Sequence, residues 1–284
     1  MSQQVVHELR KKALPVKRSC ELLGISRAAY YAAQGRVEAK PCVVMPVLKA
    51  AFSASGRTYG SRRLVSDLRE RGVTIGRFRV RRMMREAGIK PVWKRKFVHT
   101  TNSQHHDPIA PNVLNRQFDP PAPNQAWATD ITYVRTRSGW LYLAIVLDLY
   151  SRKLIGWASS NAMPAELVCR ALRIAIQQRA PQPGLIVHSD RGSQYASKEY
   201  QALLQRHQFV CSMSRLGNCW DNAVAERFFL NLKMERVWQR DYANHAEAKG
   251  DIADYIVNFY NERRLSSKLN YMSPNHFEKN AKVA

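Results

Sequence analysis

Three closely spaced runs constrain the fold of this 284-residue chain more than any other feature of its sequence. Residues 126–135 (AWATDITYVR), 140–150 (WLYLAIVLDLY) and 153–159 (KLIGWAS) are dense in β-branched and aromatic residues. Only a TRSG turn and a Ser-Arg step separate them. Connections this short join antiparallel neighbours, so the runs predict a three-stranded meander. A helix over Ala165–Arg179 follows, then a strand in LIVHSD (185–190), a helix over Lys198–His207, a strand in FVCSMS (209–214), and a long helix from Asn222 to Trp238. The order β-β-β-α-β-α-β-α describes an α/β domain over 124–284, a mixed sheet layered with helices. A last helical stretch, Ile252–Asn261, has apolar spacing suited to packing on that core.

The chain ahead of this domain has a different character. Six of the 13 prolines fall at 91, 108, 111, 120, 121 and 123, which predicts an extended, partly mobile linker over 91–123. Within it, WKRKF (Trp93–Phe97) mixes bases and aromatics as a DNA-tracking segment would, and His105 and His106 read as solvated. Before the linker come short helices only. In 1–40, RSCELLGISRAAYY has a helix, a Gly24 turn, a Ser26 N-cap and a second helix, the pattern of a helix-turn-helix. Arg27 and Tyr30 fall on the early, groove-entering part of that second helix. A second helical module over 46–90 comprises Val47–Ser53, Ser61–Arg71 and Arg77–Ala87, closed by Gly88 as a C-cap. In its last helix Phe78, Val80, Met83, Met84 and Ala87 outline a buried face, while Arg77, Arg79, Arg81, Arg82 and Arg85 crowd the remainder.

Charge gives this division a meaning. Residues 1–118 hold 24 Lys and Arg against 7 Asp and Glu, a net of +17; residues 119–284 hold 21 against 15, a net of +6. Arginines at such density repel one another without an anionic partner, so the front half is expected to bind nucleic-acid phosphates. An apolar share of 45% excludes a disordered tail protein. No run of about 18 apolar residues exists, so a membrane span is excluded. The N-terminus lacks the apolar centre of a secretory signal, which predicts a cytoplasmic protein. Five scattered cysteines without a C-x-x-C pair argue against a disulfide framework and against a Cys-based zinc site.

Three acids in the back half stand in unusual places. Asp130 lies inside the first strand, Asp190 ends the fourth, and Glu226 lies on the first turns of the long helix. The Asp190–Glu226 spacing means little alone, since chance supplies it readily. Strand ends and helix starts of a layered sheet converge, however, and three convergent carboxylates require a divalent cation, for which oxygen ligands suit Mg²⁺ or Mn²⁺. Lys233 follows Glu226 by seven residues, about 20° around a helix, which places an ammonium on the carboxylate's face.

The words LLGISRAAYY, YGSRRL, WATDITYV, GWLYLAIVLDLYSRKLIGW, HSDRGSQY, SMSRLGNCWDNAVAERFF, LKMERV and YNERR, spread over almost the whole chain, resemble the second-frame transposase of the insertion-sequence-3 family. The resemblance implies an RNase H-like, retroviral-integrase-like DDE catalytic domain behind all-α helix-turn-helix modules. It also implies two Mg²⁺ ions on Asp130, Asp190 and Glu226, cleavage of a phosphodiester at the element end, and strand transfer by the released 3′-hydroxyl. Lys233 would hold DNA beside the metals, and Ser212, Ser214, Arg215, Asn218 and Asn222 would touch a DNA strand. Partners would be duplex DNA of element ends and target, further copies of the chain in a homo-oligomer, and the first-frame product, separate or fused by frameshifting. The setting would be bacterial and nucleoid-associated. The alternative is a non-catalytic DNA-binding cofactor or repressor of transposition. His188 reads as packing that supports the acids, and Asp148 as a strand-end residue without a metal role. For Trp220, stacking on DNA and anchoring its loop stay equally open, as does DNA contact by Arg263 and Arg264.

Overall fold

The computed structural model describes Val5, Val6, Leu9 and residues 14–34, 43–92 and 108–281. The WKRKF segment, His105 and His106 lie outside the described residues. The chain forms two compact units, residues 1–51 and 52–284.

In the first unit, α1 (Val16–Leu22) and α2 (Arg27–Gln34) flank a turn in which Gly24 takes φ +63°. Ser26 caps α2 as its sequence predicts, its hydroxyl accepting the Ala29 N–H at 3.1 Å. Tyr30 departs from expectation. It is 1% exposed and closes a small core with Val6 and Cys20, so it holds the helix pair together and does not face DNA. So small a core needs a large apolar body at its centre, and Tyr30 supplies it. Arg27 remains exposed.

Helix α3 (Val44–Ala54) begins three residues ahead of the expected Val47 and carries Pro46 in its first turn, where a missing N–H costs no intrahelical bond. In the second unit, α4 (Ser61–Glu70) and α5 (Arg77–Glu86) bury Leu64, Leu68, Val80, Met83 and Met84. Gly72 at φ +78° and Gly88 at φ +64° terminate them, and the Ile89 N–H returns to the Met84 carbonyl at 2.7 Å beyond the second glycine. Phe78, expected on the buried face, is 82% exposed. At about 100° per residue it stands across the helix from Val80, Met83 and Met84.

The sheet has the order β3-β2-β1-β4-β5, from strands Ala126–Thr136, Gly139–Asp148, Leu154–Ser160, Ile186–Ser189 and Val210–Met213 for β1 to β5. The three long runs form the predicted meander: β1 pairs β2 antiparallel from Thr136↔Gly139 to Trp127↔Asp148, and β2 pairs β3. On the other side of β1 the sheet turns parallel, with Ala128 opposite His188 on β4 and β5 beyond. Helices α6 (Ala165–Arg179), α7 (Ser193–Ala196) and α8 (Lys198–Arg206) enclose a core of Trp127, Val146, Ile155, Val168, Leu172 and Tyr195. Gly156 of β3 allows α6 to press against the strand, since a Cβ there would lie 2.3 Å from the Ala171 carbonyl oxygen. Residues 108–123, expected as a partly mobile tether, are fastened to the sheet. Leu114 is buried and its N–H bonds the Ser212 hydroxyl at 3.0 Å, while the Met213 N–H reaches the Pro111 carbonyl.

Helix α9 (Ala223–Glu235) leads through a short 3-10 turn to α10 (His245–Asp254), which widens into a π-helix over Tyr255–Asn261. Asn261 shows what the wider turn accommodates. Its side-chain amide pairs with both the N–H and the carbonyl of Leu154 at the start of β3, at 3.0 and 2.9 Å. The chain closes with α11 (Pro274–Ala281). Glu235, at the end of α9, is the polar centre of this region. Arg264 donates to it twice (2.8 and 2.7 Å), the Tyr255 hydroxyl once (2.8 Å), and Arg63 of α4 lies 3.7 Å away. Burial works to raise the Glu235 carboxyl, but these partners outweigh it and hold it below its ordinary value. Tyr59 adds a second tie: its hydroxyl donates to the Arg263 carbonyl at 3.0 Å and accepts the Leu265 N–H at 2.9 Å. Arg264 is 5% exposed and therefore does not contact DNA; Arg263 is exposed and bonds the Asn258 carbonyl.

Removing one member of a buried ion pair strands the other. Arg264→Met is expected to lower unfolding free energy by about 3–5 kcal/mol, and the Arg264→Met/Glu235→Met double variant by less than the sum of the single ones. Urea titration of the four proteins measures this; additive losses would mean that the pair is not coupled.

Candidate active site

Asp130 sits in the middle of β1, opposite Ile145 of β2, and the Ile131 N–H donates to its Oδ1 at 2.8 Å. Asp190 follows directly on the last residue of β4, and its Oδ1 accepts the Gly192 N–H at 2.9 Å. Glu226 is in the first turn of α9. The parallel pairing of β1 with β4 and the packing of α9 on β1 bring the three together. The Asp130 carboxyl is pushed well above its ordinary value by withdrawal from water first, then by the charge of Asp190. Glu226 adds to the rise, while the Ile131 N–H and Lys233 oppose it. Tyr195 reports the same crowding from behind the sheet: burial, then Asp130 and Asp190, drive its phenol well up.

Lys233 belongs to this group and is half-buried rather than solvated. Its Nζ lies 5.0 Å from the centroid of the Tyr133 ring, which in turn packs edge-on against Trp140 at 4.9 Å. Burial lowers the ammonium's pKa and Asp130 pulls the other way. Tyr133 carries no chemical signature in the sequence beyond a strand aromatic, and only the position of α9 makes it a partner of Lys233.

Several other expected residues have different duties. His188 is fully buried between Ser212 (Nδ1, 2.8 Å) and Ser214 (Nε2, 3.2 Å), so these two serines brace β4 and β5 and do not face a DNA strand. Ser212 already accepts the Leu114 N–H and Ser214 donates to the Ser189 carbonyl, which fits a neutral ring protonated on Nε2. Asn222 is 4% exposed and donates to the Thr129 carbonyl at 3.3 Å, tying the entry of α9 to β1. Asp148 ends β2 and accepts the N–H groups of Asn124 and Tyr150, as a strand-end residue should.

Asp221 went unnoticed in the sequence, although it stands in an acid-poor loop between Arg215 and Arg227. It is completely buried and receives Arg215 through Nε and Nη2 (both 2.8 Å) and through its backbone N–H (3.0 Å). Arg116 (2.7 Å) and Asn112 (2.9 Å) complete its set. The Arg215 side chain leads these partners in holding the Asp221 carboxyl far below the usual range. Arg215, expected on DNA, gives Nε and Nη2 to Asp221 and keeps 48% of its side chain exposed. Arg116 also reaches Asn218 at 2.9 Å, so Asn218 is pinned as well. Across this braced loop Leu216 and Trp220 project 70% and 69% exposed, so Trp220 does not anchor the loop by burial. Arg27, Arg77, Arg79, Arg81, Arg82 and Arg85 are exposed as a phosphate-binding surface requires.

Burial pushes the His188 imidazole down to about 4, with Asp221 opposing. The unfolded ring takes a proton near pH 6.5 and the folded one resists until about 4, so stability must fall as pH drops through that window. The expected loss is about 3 kcal/mol, read by urea unfolding between pH 7 and 4. His188→Gln should flatten this component; an unchanged slope would show that His188 is not its source.

Comparison with known proteins agrees with this architecture. Residues 120–219 match an integrase core domain, residues 226–281 a further integrase core domain model, and residues 44–97 an HTH-like domain. The chain is 41% identical over 263 residues to the insertion element IS600 uncharacterized 31 kDa protein of Shigella sonnei, across 91% of this chain and 96% of the relative. It is 37% identical over 277 residues to transposase InsF for insertion sequence IS3A of Escherichia coli (strain K12), across 95% of this chain and 96% of that one. Among solved structures it is similar to a chain of the simian T-cell lymphotropic virus intasome in complex with PP2A regulatory subunit B56 gamma. That match has a TM-score of 0.48 and 17% identity, over 62% of this chain and 60% of that one. The HTLV-2 integrase catalytic core domain in complex with magnesium gives a TM-score of 0.43 and 16% identity, over 55% of this chain and 97% of that one. More than a third of the residues are shared with InsF along nearly the full length of both proteins, and the chain belongs to the InsF-type transposases of the IS3 insertion-sequence family.

Proposed function

We propose that this DNA transposase cuts and joins phosphodiesters at a site formed by Asp130, Asp190 and Glu226, with Lys233 holding a phosphate beside it. The observation that carries the reading is the placement of half-buried Asp130 in β1, Asp190 just past the end of the paired β4, and Glu226 in the first turn of the helix packed on β1. An all-oxygen, multiply anionic donor set of this kind fits hard divalent cations, Mg²⁺ or Mn²⁺, and two ions would more than offset the three carboxylates, leaving positive charge to meet a phosphate. When bound, the ions supply Lewis acidity that sharpens a water or 3′-hydroxyl nucleophile and steadies the leaving oxygen.

The protein's own residues do the rest. Asp130 in β1 and Asp190 just past the end of the adjacent β4 fix two of the ligands beside a stiff sheet, and the Ile131 and Gly192 N–H groups orient their Oδ1 atoms. Glu226 completes the set from a helix whose entry is held by Asn222 and whose exit is held by Glu235. Lys233, steadied over Tyr133, presents its ammonium to the DNA backbone and does not act as a ligand, since a protonated amine has no lone pair to give. No covalent enzyme–DNA intermediate is required. Duplex DNA of the element ends and the target is the substrate, bound through the arginines of α5 and Arg27, with further copies of the chain and the first-frame product as partners in the joining complex. A cytoplasmic, nucleoid-associated setting follows from that substrate.

Asp130→Asn, Asp190→Asn and Glu226→Gln should each abolish end cleavage and strand transfer in Mg²⁺ while duplex binding persists. Asp130→Asn carries a second readout. Its raised carboxyl costs the metal-free fold nothing well below the ordinary aspartate pKa and progressively more as pH rises above it, so the Asn variant should gain in melting temperature over wild type, by on the order of a few degrees, at pH 8 relative to pH 4. Any of the three variants retaining wild-type strand transfer would overturn the assignment.

Lys233→Ala should reduce strand transfer by about 10²-fold with metal affinity unchanged or slightly raised, and Lys233→Arg should recover part of the loss. Metal titration beside joining assays on one end substrate makes the comparison. Wild-type joining by the Ala variant would remove Lys233 from the site.

A further inference from the structure

Phe78 stands outside the buried face of its helix. Val80, Met83 and Met84 form the buried stripe of α5, and at about 100° per residue Phe78 lies across the helix from all three. Its ring is 82% exposed, and among the described residues of 52–92 it is the only large apolar side chain so exposed. Around the helix its neighbours are arginines: Arg85 about 20° away, Arg82 about 40° and Arg81 about 60°. Arg77 and Arg79 flank it in sequence. Arg82 shares its charge with Glu86 at 3.6 Å, the one acid of the helix.

An exposed aromatic ring ringed by like charges is a poor surface for a second copy of this chain, which would present the same cations to it. It suits a groove walled by phosphates. The major groove of B-DNA, about 12 Å wide, admits an α-helix, and the apolar group it displays on a base edge is the C5-methyl of thymine. α5 is the second helix of the α4–turn–α5 pair, the position from which such pairs enter the groove.

We infer that Phe78 reads sequence: its ring packs on a thymine methyl in the major groove while the surrounding arginines hold the flanking phosphates. This deepens the reading of α5 as a DNA surface and rests on it. Phe78 thereby sets where on DNA the transposase settles, and the arginines set how tightly.

The experiment uses the full-length chain and a pool of duplexes with a randomised core. Wild type should enrich sequences with an invariant thymine, and replacing that thymine by deoxyuridine in an otherwise identical duplex should weaken binding about fourfold, the worth of one buried methyl. Phe78→Ala should bind the thymine and uracil duplexes equally, with its enrichment at that position gone. Its salt dependence should match wild type, because no charge has changed. Phe78→Leu, which keeps an apolar contact, should retain part of the thymine preference. A Phe78→Ala protein with the wild-type preference would overturn the inference and leave DNA binding by α5 intact. So would a shift to a smaller oligomer in sedimentation with sequence preference unchanged, which would make the ring an interface between copies. If Arg79→Ala/Arg81→Ala left affinity and salt dependence untouched, the DNA surface itself would fail, and this inference with it.

Discussion

Three negative charges pressed toward one point are the constraint to which much of the second unit answers. The sheet changes from antiparallel to parallel pairing at β1, and that change sets Asp130 beside the end of β4, where Asp190 stands. Left to electrostatics the acids would separate, and each element that carries one is tied by a buried polar bond close to it. β4 is held to β5 by His188 between Ser212 and Ser214. Helix α9 is held at its start by Asn222 on the Thr129 carbonyl and at its end by Glu235 among Arg264, Tyr255 and Arg63. The loop leading into α9 is drawn tight by Asp221. Rigid polar bracing of this sort lets a fold tolerate repulsion among its own carboxylates.

The arginines divide into two populations that composition cannot separate. Arg264 and Arg63 surround a buried glutamate inside the fold, while Arg116 and Arg215 pair with a buried aspartate and keep 44% and 48% of their side chains exposed. Those of α5 face solvent around Phe78. A net charge of +23 therefore overstates the surface available to phosphates, and Arg264 is the clearest instance.

Much of the architecture was legible because it depends on local pattern. The β-rich runs and the turns between them define the meander, and Ser26 and Gly88 mark helix ends. The convergence of the acids was legible because strand interior, strand end and helix start are themselves positions in a layered sheet. What escaped was rotational or long-range. Phe78 and Tyr30 were each assigned to the wrong side of a helix, because a short amphipathic segment with apolar residues on two faces does not say which face meets the core. Asp221 escaped because its partners Asn112 and Arg116 come from more than a hundred residues away. The serines flanking His188 are ordinary strand residues until β5 is laid beside β4.

The hydroxyl of Tyr59 has a consequence for the order of events during synthesis. Its two partners, at residues 263 and 265, are separated from it by 204 and 206 positions. Translation at about 5–20 residues per second leaves the helix pair α4–α5 outside the ribosome for about ten to forty seconds before those partners exist. Through that interval the helix pair carries its cluster of arginines without the glutamate and carbonyls that later hold it in place. A nascent chain thus exposes this basic helix pair well before the residues at 235, 263 and 265 that seat it.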